Sequence, residues 1–251
     1  MKRKRLILWF RQDLRLHDNE ALTDALKSAE EIIPIFVFDE RVFKGKTRFG
    51  FDKTGPFRAK FIIEAVQDLR QSLQALGSEL IVRVGKPEEE IYKIAQQSKT
   101  SWVFCNRERT AEEVAVQDAL EQKLWSIGQE IIYSRGKMLY YTQDLPFPVT
   151  HCPDVFSNFR KEVEKIVPVR ECLPTPTESF NPLTIDVLAG DIPTLSDFGH
   201  DNFHESDKAA IKIKGGETAA LERLKYYVWE SKKVKTYKET RNELLLSLIQ
   251  I

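Results

Sequence analysis

The sequence predicts an α/β fold: a doubly wound domain on a five-stranded parallel sheet, followed by a long connector and a short helical tail. Over the first 135 residues, short apolar runs alternate with stretches whose apolar residues recur near every 3.6 positions. The short runs are apolar throughout rather than on alternate residues, which is the pattern of strands covered on both faces. Connections between them are short, so right-handed crossovers wind helices onto both sides of one sheet.

The strands are Leu6–Phe10, Ile32–Phe38, Glu79–Val84, Trp102–Cys105 and Glu130–Tyr133. The first helix is Asn19–Ser28, with Asp18 as its cap. Pro56–Leu76 is the longest, with Phe57, Phe61, Ala65, Leu69, Leu73 and Leu76 near one face, Pro in its first turn and Gly77 as its stop. Pro87–Ala95 and Thr110–Ile127 follow, the latter with Glu112 and Glu113 where the helix dipole favours acids. Beyond Tyr133 the alternation ends. Arg135–Thr150 is loop, Asp154–Ile166 is a helix with Phe156, Phe159, Val163 and Ile166 on one stripe, and Pro168–Asp207 is a proline-punctuated interdomain connector. Glu217–Ser231, after the Gly215-Gly216 break, and Lys235–Ile249 are two closing helices whose apolar residues have no remaining sequence to pack against. The chain thus divides into a Rossmann-like domain over 1–150, a helix and acidic connector over 151–214, and the first helices of a second domain over 215–251.

At a soft prior of about 150 residues per domain, 251 residues make one to two domains. Hydrophobic residues at 42% and charged ones at 30% exclude wholesale disorder and a multispanning membrane protein. The apolar start breaks off at Arg11, Asp13 and Arg15, before a signal-peptide core, so the expected location is cytoplasmic. Lys+Arg and Asp+Glu balance at 38 each, but the balance is an average. Pro174–Asp207 carries seven acids and no Lys or Arg, while Lys208–Arg241 carries ten bases against four acids. Cys105, Cys152 and Cys172 form neither a metal spacing nor an even disulfide set and are expected as thiols. His200 and His204 lack a third ligand nearby, so no metal site is expected. The segments beyond the strand carboxyl ends contain no G-x-G-x-x-G and no P-loop, which argues against a glycine-rich dinucleotide or triphosphate site.

ILWFRQDLRLHDNEAL (Ile7–Leu22) resembles the amino-terminal signature W-F-R-x-D-L-R-x-x-D-N of the DNA photolyase and cryptochrome family. Phe49–Glu89, Leu145–Glu164 and Gly215–Leu245 resemble its cryptochrome DASH branch, so the similarity covers nearly the whole chain. It implies an amino-terminal α/β domain, a connector wrapped around the molecule, and a carboxyl-terminal helical domain that holds a catalytic flavin. Members use light-excited reduced FAD to repair cyclobutane pyrimidine dimers, the DASH branch preferring single-stranded DNA. An antenna pigment, usually methenyltetrahydrofolate, lies between the domains. Where similar proteins continue into the flavin-binding helices, this sequence reads LSLIQI and ends at Ile251. FAD is therefore expected for the family and its site is expected to be missing here, with no catalytic residue carried over. DNA binding is expected to be weak or absent for this chain, and a methenyltetrahydrofolate-type antenna is the pigment the resemblance implies.

For that antenna the resemblance points to Glu108, in the turn after the fourth strand, whose carboxylate suits an amino-pyrimidine edge. Its alternative is an exposed acid at a helix start. Asn106 on the same turn is a weaker candidate beside ordinary turn chemistry. Arg58 matches an arginine that touches deazaflavin pigments in relatives; its alternative is a surface arginine. Phe38 can offer a stacking face or be a core aromatic. The charges of the signature loop, Arg11, Asp13, Arg15 and Asp18, are read as a structural Arg–Asp network. The basic, aromatic tail from Lys225 to Arg241 resembles a nucleic-acid patch but is read as a docking helix. The function expected is the antenna-domain portion of a DASH-type enzyme, not repair-competent alone. The alternative is a chromophore-binding or docking module that complements a separate helical flavin domain or self-associates through 217–251.

Overall fold

The computed structural model describes residues 4–136, 138–184, 186–205 and 213–240. Five strands, β1 (Arg5–Phe10), β2 (Glu31–Asp39), β3 (Ile81–Gly85), β4 (Trp102–Asn106) and β5 (Glu130–Ser134), form one parallel sheet in the order β3-β2-β1-β4-β5. The strand order reverses at β1, so the gap between the carboxyl ends of β1 and β4 is the topological switch point.

Alternate residues of each central strand feed two cores. Leu6, Leu8 and Phe10 with Phe36 and Phe38 pack beneath α1 (Glu20–Ser28) and α3 (Pro56–Ala75). Ile7 and Trp9 with Ile33, Ile35 and Val37 face α4 (Pro87–Ser98) and α5 (Ala111–Trp125). This two-sided burial is why the strands read as unbroken apolar runs. A short helix, α2 (Glu40–Phe43), follows β2 and escapes sequence periodicity, because four residues span barely one turn. Asp39 caps it through Arg41 N at 2.9 Å.

Asn19, not Asp18, caps α1: its side-chain oxygen accepts from Leu22 N at 3.0 Å. Asp18 is held at φ +50° and is engaged elsewhere, its carboxylate accepting from Leu173 N and its N–H donating to Leu173 O, both at 3.0 Å. The connector after α6 (Phe156–Ile166) lies on the α/β domain rather than apart from it. Phe180 and Phe198 enter the first core, Val82 N donates to Ala189 O at 2.7 Å along the edge strand β3, and Thr184 joins Arg5 at Glu31. Covering β3 in this way removes an open sheet edge.

The predicted helix Glu217–Ser231 divides into α7 (Glu217–Lys225) and a π-helical turn, Tyr226–Glu230. Its start docks through backbone donors. Gly215 N donates to Glu64 and Thr218 N to Asp68, at 2.8 and 3.0 Å, while the Glu217 carboxylate accepts from Leu16 N and His17 N at 2.8 Å each. Gly215 is needed for this approach, since a Cβ there would stand 2.0 Å from Phe61 O. Leu221 and Trp229 remain exposed. Of the predicted helix Lys235–Ile249, a 3₁₀ turn (Lys233–Thr236) leads into α8 (Tyr237–Thr240), and the remainder lies outside the described residues.

Candidate functional site

The switch point is floored by a buried polar network. Arg11, the first residue past β1, lays its guanidinium over the Trp9 ring at 4.3 Å, donates to Gln117 Oε1 at 2.5 Å and pairs with the Glu113 carboxylate. Asp13 accepts from Arg11 N at 2.8 Å and from the Asn106 amide. Asn106, the last residue of β4, in turn accepts from Gly136 N at 3.1 Å. Asn19 donates to Arg15 O at 2.9 Å. Gln117 completes the network: its Oε1 also accepts from Glu108 N at 2.8 Å, which pins the β4–α5 turn. Burial pushes the neighbouring Cys105 thiol up to about 12, so it stays protonated. Cys105, Cys152 and Cys172 are all free.

The predicted site residues take different places. Glu108 is on the pinned turn, 8% exposed. Asn106 lies beside it with both ends of its amide committed to Asp13 and Gly136. Arg58 is exposed in the first turn of α3, with no acid within ion-pair distance among the described residues. Phe38 is fully buried, enclosed by Phe36, Phe43 and Phe198 at ring separations of 4.9, 5.0 and 5.5 Å, so it offers no stacking face.

The signature loop forms part of the expected Arg–Asp network: Arg15 pairs with the Asp18 carboxylate at 3.8 Å and donates to the backbone oxygens of His17 and Asp18, both at 3.0 Å, whereas the Arg11 guanidinium reaches across to α5. Glu113 and Gln117 were missed. One helical turn apart on α5, they place polar groups beside Val116 and Leu120 on a stripe otherwise apolar, and that mismatch is the available signal.

The fold has known counterparts. The DNA photolyase family model matches residues 6–179. The chain belongs to the DNA photolyase family. Within it, the chain is 41% identical over 245 residues to the protein named Cryptochrome DASH of Gloeobacter violaceus, covering 98% of this chain and 48% of that protein. The Xenopus laevis Cryptochrome DASH is 40% identical over 242 residues, covering 96% and 46%. The crystal structure of the Synechocystis cryptochrome superposes with a TM-score of 0.89 at 38% identity, over 96% of this chain and 50% of that one. A Sulfolobus tokodaii photolyase described with two FAD molecules shares the fold, with a TM-score of 0.67 at 24% identity over 88% and 46%. The chain spans about half the length of the photolyase-family relatives it matches. Its sheet is that of the photolyase amino-terminal α/β domain. Among the described residues, no helix is long and apolar enough to cross a membrane.

Proposed function

We propose that this chain is the antenna-bearing α/β portion of a DASH-type cryptochrome or photolyase, that it binds a methenyltetrahydrofolate-type pigment at the turn carrying Glu108, and that it does not repair DNA alone. The observation that carries this is the 41% identity to a Cryptochrome DASH along 98% of the chain, joined to a switch-point turn whose backbone Gln117 holds and which carries the buried Glu108. The family role is light-driven, FAD-dependent repair of cyclobutane pyrimidine dimers, preferentially in single-stranded DNA, and FAD supplies the light-excited electron when bound.

In this reading the carboxylate of buried Glu108 faces the N–H groups of a pterin edge, and Gln117 holds its backbone still. Arg58, exposed on the carboxyl edge, suits the glutamyl carboxylates of a folate. Asn106 acts one step back, through Asp13, and Phe38 contributes only to the core.

Exposed Leu221 and Trp229 favour a second role for α7 and the turn after it, docking on a separately encoded helical flavin domain or on a second copy of the chain. Titrating the purified chain with methenyltetrahydrofolate tests the main proposal. A bound near-ultraviolet pigment band, weakened in Glu108→Gln, is the expected result. No binding, or blue-light repair of a dimer-containing oligonucleotide by this chain alone, overturns it.

A further inference from the structure

The two edges of the sheet are finished differently. At β3 the connector closes the edge: Val82 N donates to Ala189 O at 2.7 Å, and the Arg83 guanidinium donates to Leu188 O at 2.9 Å. At β5 nothing among the described residues takes that place. Ser134 O accepts from Arg107 N at 2.9 Å, so the backbone groups of Ser134 face β4, and by the alternation of a strand those of Ile132 and Glu130 do too. The N–H and C=O of Ile131 and Tyr133 therefore point out of the sheet, where no described group meets them. The next outward donor, Arg135 N, is taken by the Glu20 carboxylate at 2.8 Å, which ends the open stretch.

β5 also lacks the devices that keep a sheet edge from pairing. Its sequence, EIIYS, holds no proline and no lysine, its register with β4 runs without a bulge, and no charge interrupts the stretch from Ile131 to Tyr133. Ile132, in the middle of that stretch, is 37% exposed. Glu130 at the start of the strand and Arg135 just past its end are exposed and opposite in charge.

An open row of backbone donors and acceptors calls for another strand, and β5 complements itself. In the antiparallel register that sets Ile132 against Ile132 of a second copy, Ile131 of each chain faces Tyr133 of the other. Such facing residues exchange both of their hydrogen bonds, so every open backbone group of the two edges finds a partner. Glu130 falls opposite Ser134 and beside Arg135 of the second copy, and Gln129 falls opposite Arg135, so the acidic start of each strand lies along the basic end of the other and no like charges meet. We propose that β5 pairs antiparallel with β5 of a second copy, about a two-fold axis at Ile132, joining two five-stranded sheets into one continuous sheet. The carboxyl edges of the two sheets then point in opposite directions, which leaves both switch points open. The pairing requires neither pigment nor flavin and uses no part of α7.

The test is sedimentation velocity of the full chain over about 1–300 µM, the range in which a small interface associates. The expected result is a monomer that shifts toward dimer mass as concentration rises. Ile132→Lys, which sets like charges face to face on the axis, weakens the dimer about tenfold or more. Leu221→Ser with Trp229→Ser leaves it unchanged, which separates this edge from docking through α7. Cross-linking reads the register. With Cys152→Ser and Cys172→Ser as background, Ile132→Cys gives a disulfide-linked dimer on mild oxidation, because facing residues between hydrogen-bonded pairs lie about 4.5 Å apart at Cα, within disulfide reach. Glu130→Cys, which faces Ser134 instead, does not. Far-ultraviolet circular dichroism confirms that these surface variants fold. A monomer at every concentration, a dimer indifferent to Ile132→Lys, a dimer lost with Leu221 and Trp229, or cross-linking as ready at position 130 as at 132 overturns the pairing, and none of these results bears on folate binding.

Discussion

Replacing Gln117 by leucine tests the switch-point network most directly. Gln117 is 2% exposed and its Oε1 serves two donors at once, Arg11 Nη1 at 2.5 Å and Glu108 N at 2.8 Å. Leucine has about the same bulk, so no cavity opens and the change isolates the hydrogen bonds. A bond to a charged donor contributes about 1.5–3 kcal/mol, and a buried donor deprived of its acceptor costs about 1–3 kcal/mol. Arg11 keeps the Glu113 carboxylate, and the leucine gains some apolar burial, which returns on the order of 1 kcal/mol. The net loss expected is about 2–4 kcal/mol, or a fall in Tm of about 5–12 °C for a protein of this size. Urea unfolding followed by circular dichroism reads it as a lower midpoint at constant m-value. A loss below about 0.5 kcal/mol would mean that water or a neighbour replaces Gln117, and the claim that it fixes the Glu108 turn would fail.

Phe38→Ala should cost about 3–5 kcal/mol in the same assay, and folate titration of the still-folded protein should show unchanged affinity, because the ring is enclosed on every side. At Glu31, burial opposes the charge, but hydrogen bonds from Thr184 and Arg5 and the charge of Arg5 outweigh it, so the carboxyl titrates below its ordinary 4.5. Its contribution to stability is therefore complete above pH 4.5 and is lost as pH falls through the lowered folded value, and urea midpoints across that acid range should depend less on pH in Glu31→Gln. Gly190→Ala places a Cβ 2.3 Å from Val82 O at φ +74°, which should loosen the connector from β3 at a cost of about 1–3 kcal/mol and speed its cleavage by a protease.

The sheet was legible because its strands are buried on both faces, which writes them into the sequence as runs such as Leu6–Phe10 and Ile32–Phe38. Helix ends were less so. Asp18 and Asn19 are equally good caps by type, and only the contact with Leu173, remote in sequence, decides between them. The connector was legible in part: its prolines signal irregular backbone and the resemblance implies that it wraps the molecule, but nothing local shows that Phe180 and Phe198 complete the first core. Resemblance singles out Glu108, with Asn106 as its neighbour on the turn, whereas the hydrogen bonds that set the two apart depend on partners spread from Asp13 to Gly136. The Arg11–Gln117 bond joins residues 106 positions apart, a pairing that no periodicity in one sequence can announce.

Where the winding of the sheet reverses, crossovers leave β1 and β4 in opposite directions, and this chain fills the gap with polar side chains. Such a core is stable only when each group is satisfied, as Arg11, Asp13, Asn106 and Gln117 satisfy one another, and it then holds its geometry more firmly than an apolar filling would. Two classes of variant should therefore separate. Changes inside the network, such as Gln117→Leu, should lower stability and folate affinity together, because the same bonds fix the fold and the Glu108 turn. Arg58→Ala should lower folate affinity at unchanged urea midpoint, since Arg58 is exposed and supports nothing beneath it. Equal affinities for Arg58→Ala and the unaltered chain would remove Arg58 from the proposed folate site, and unchanged affinity in a destabilised Gln117→Leu would remove the Glu108 turn as well.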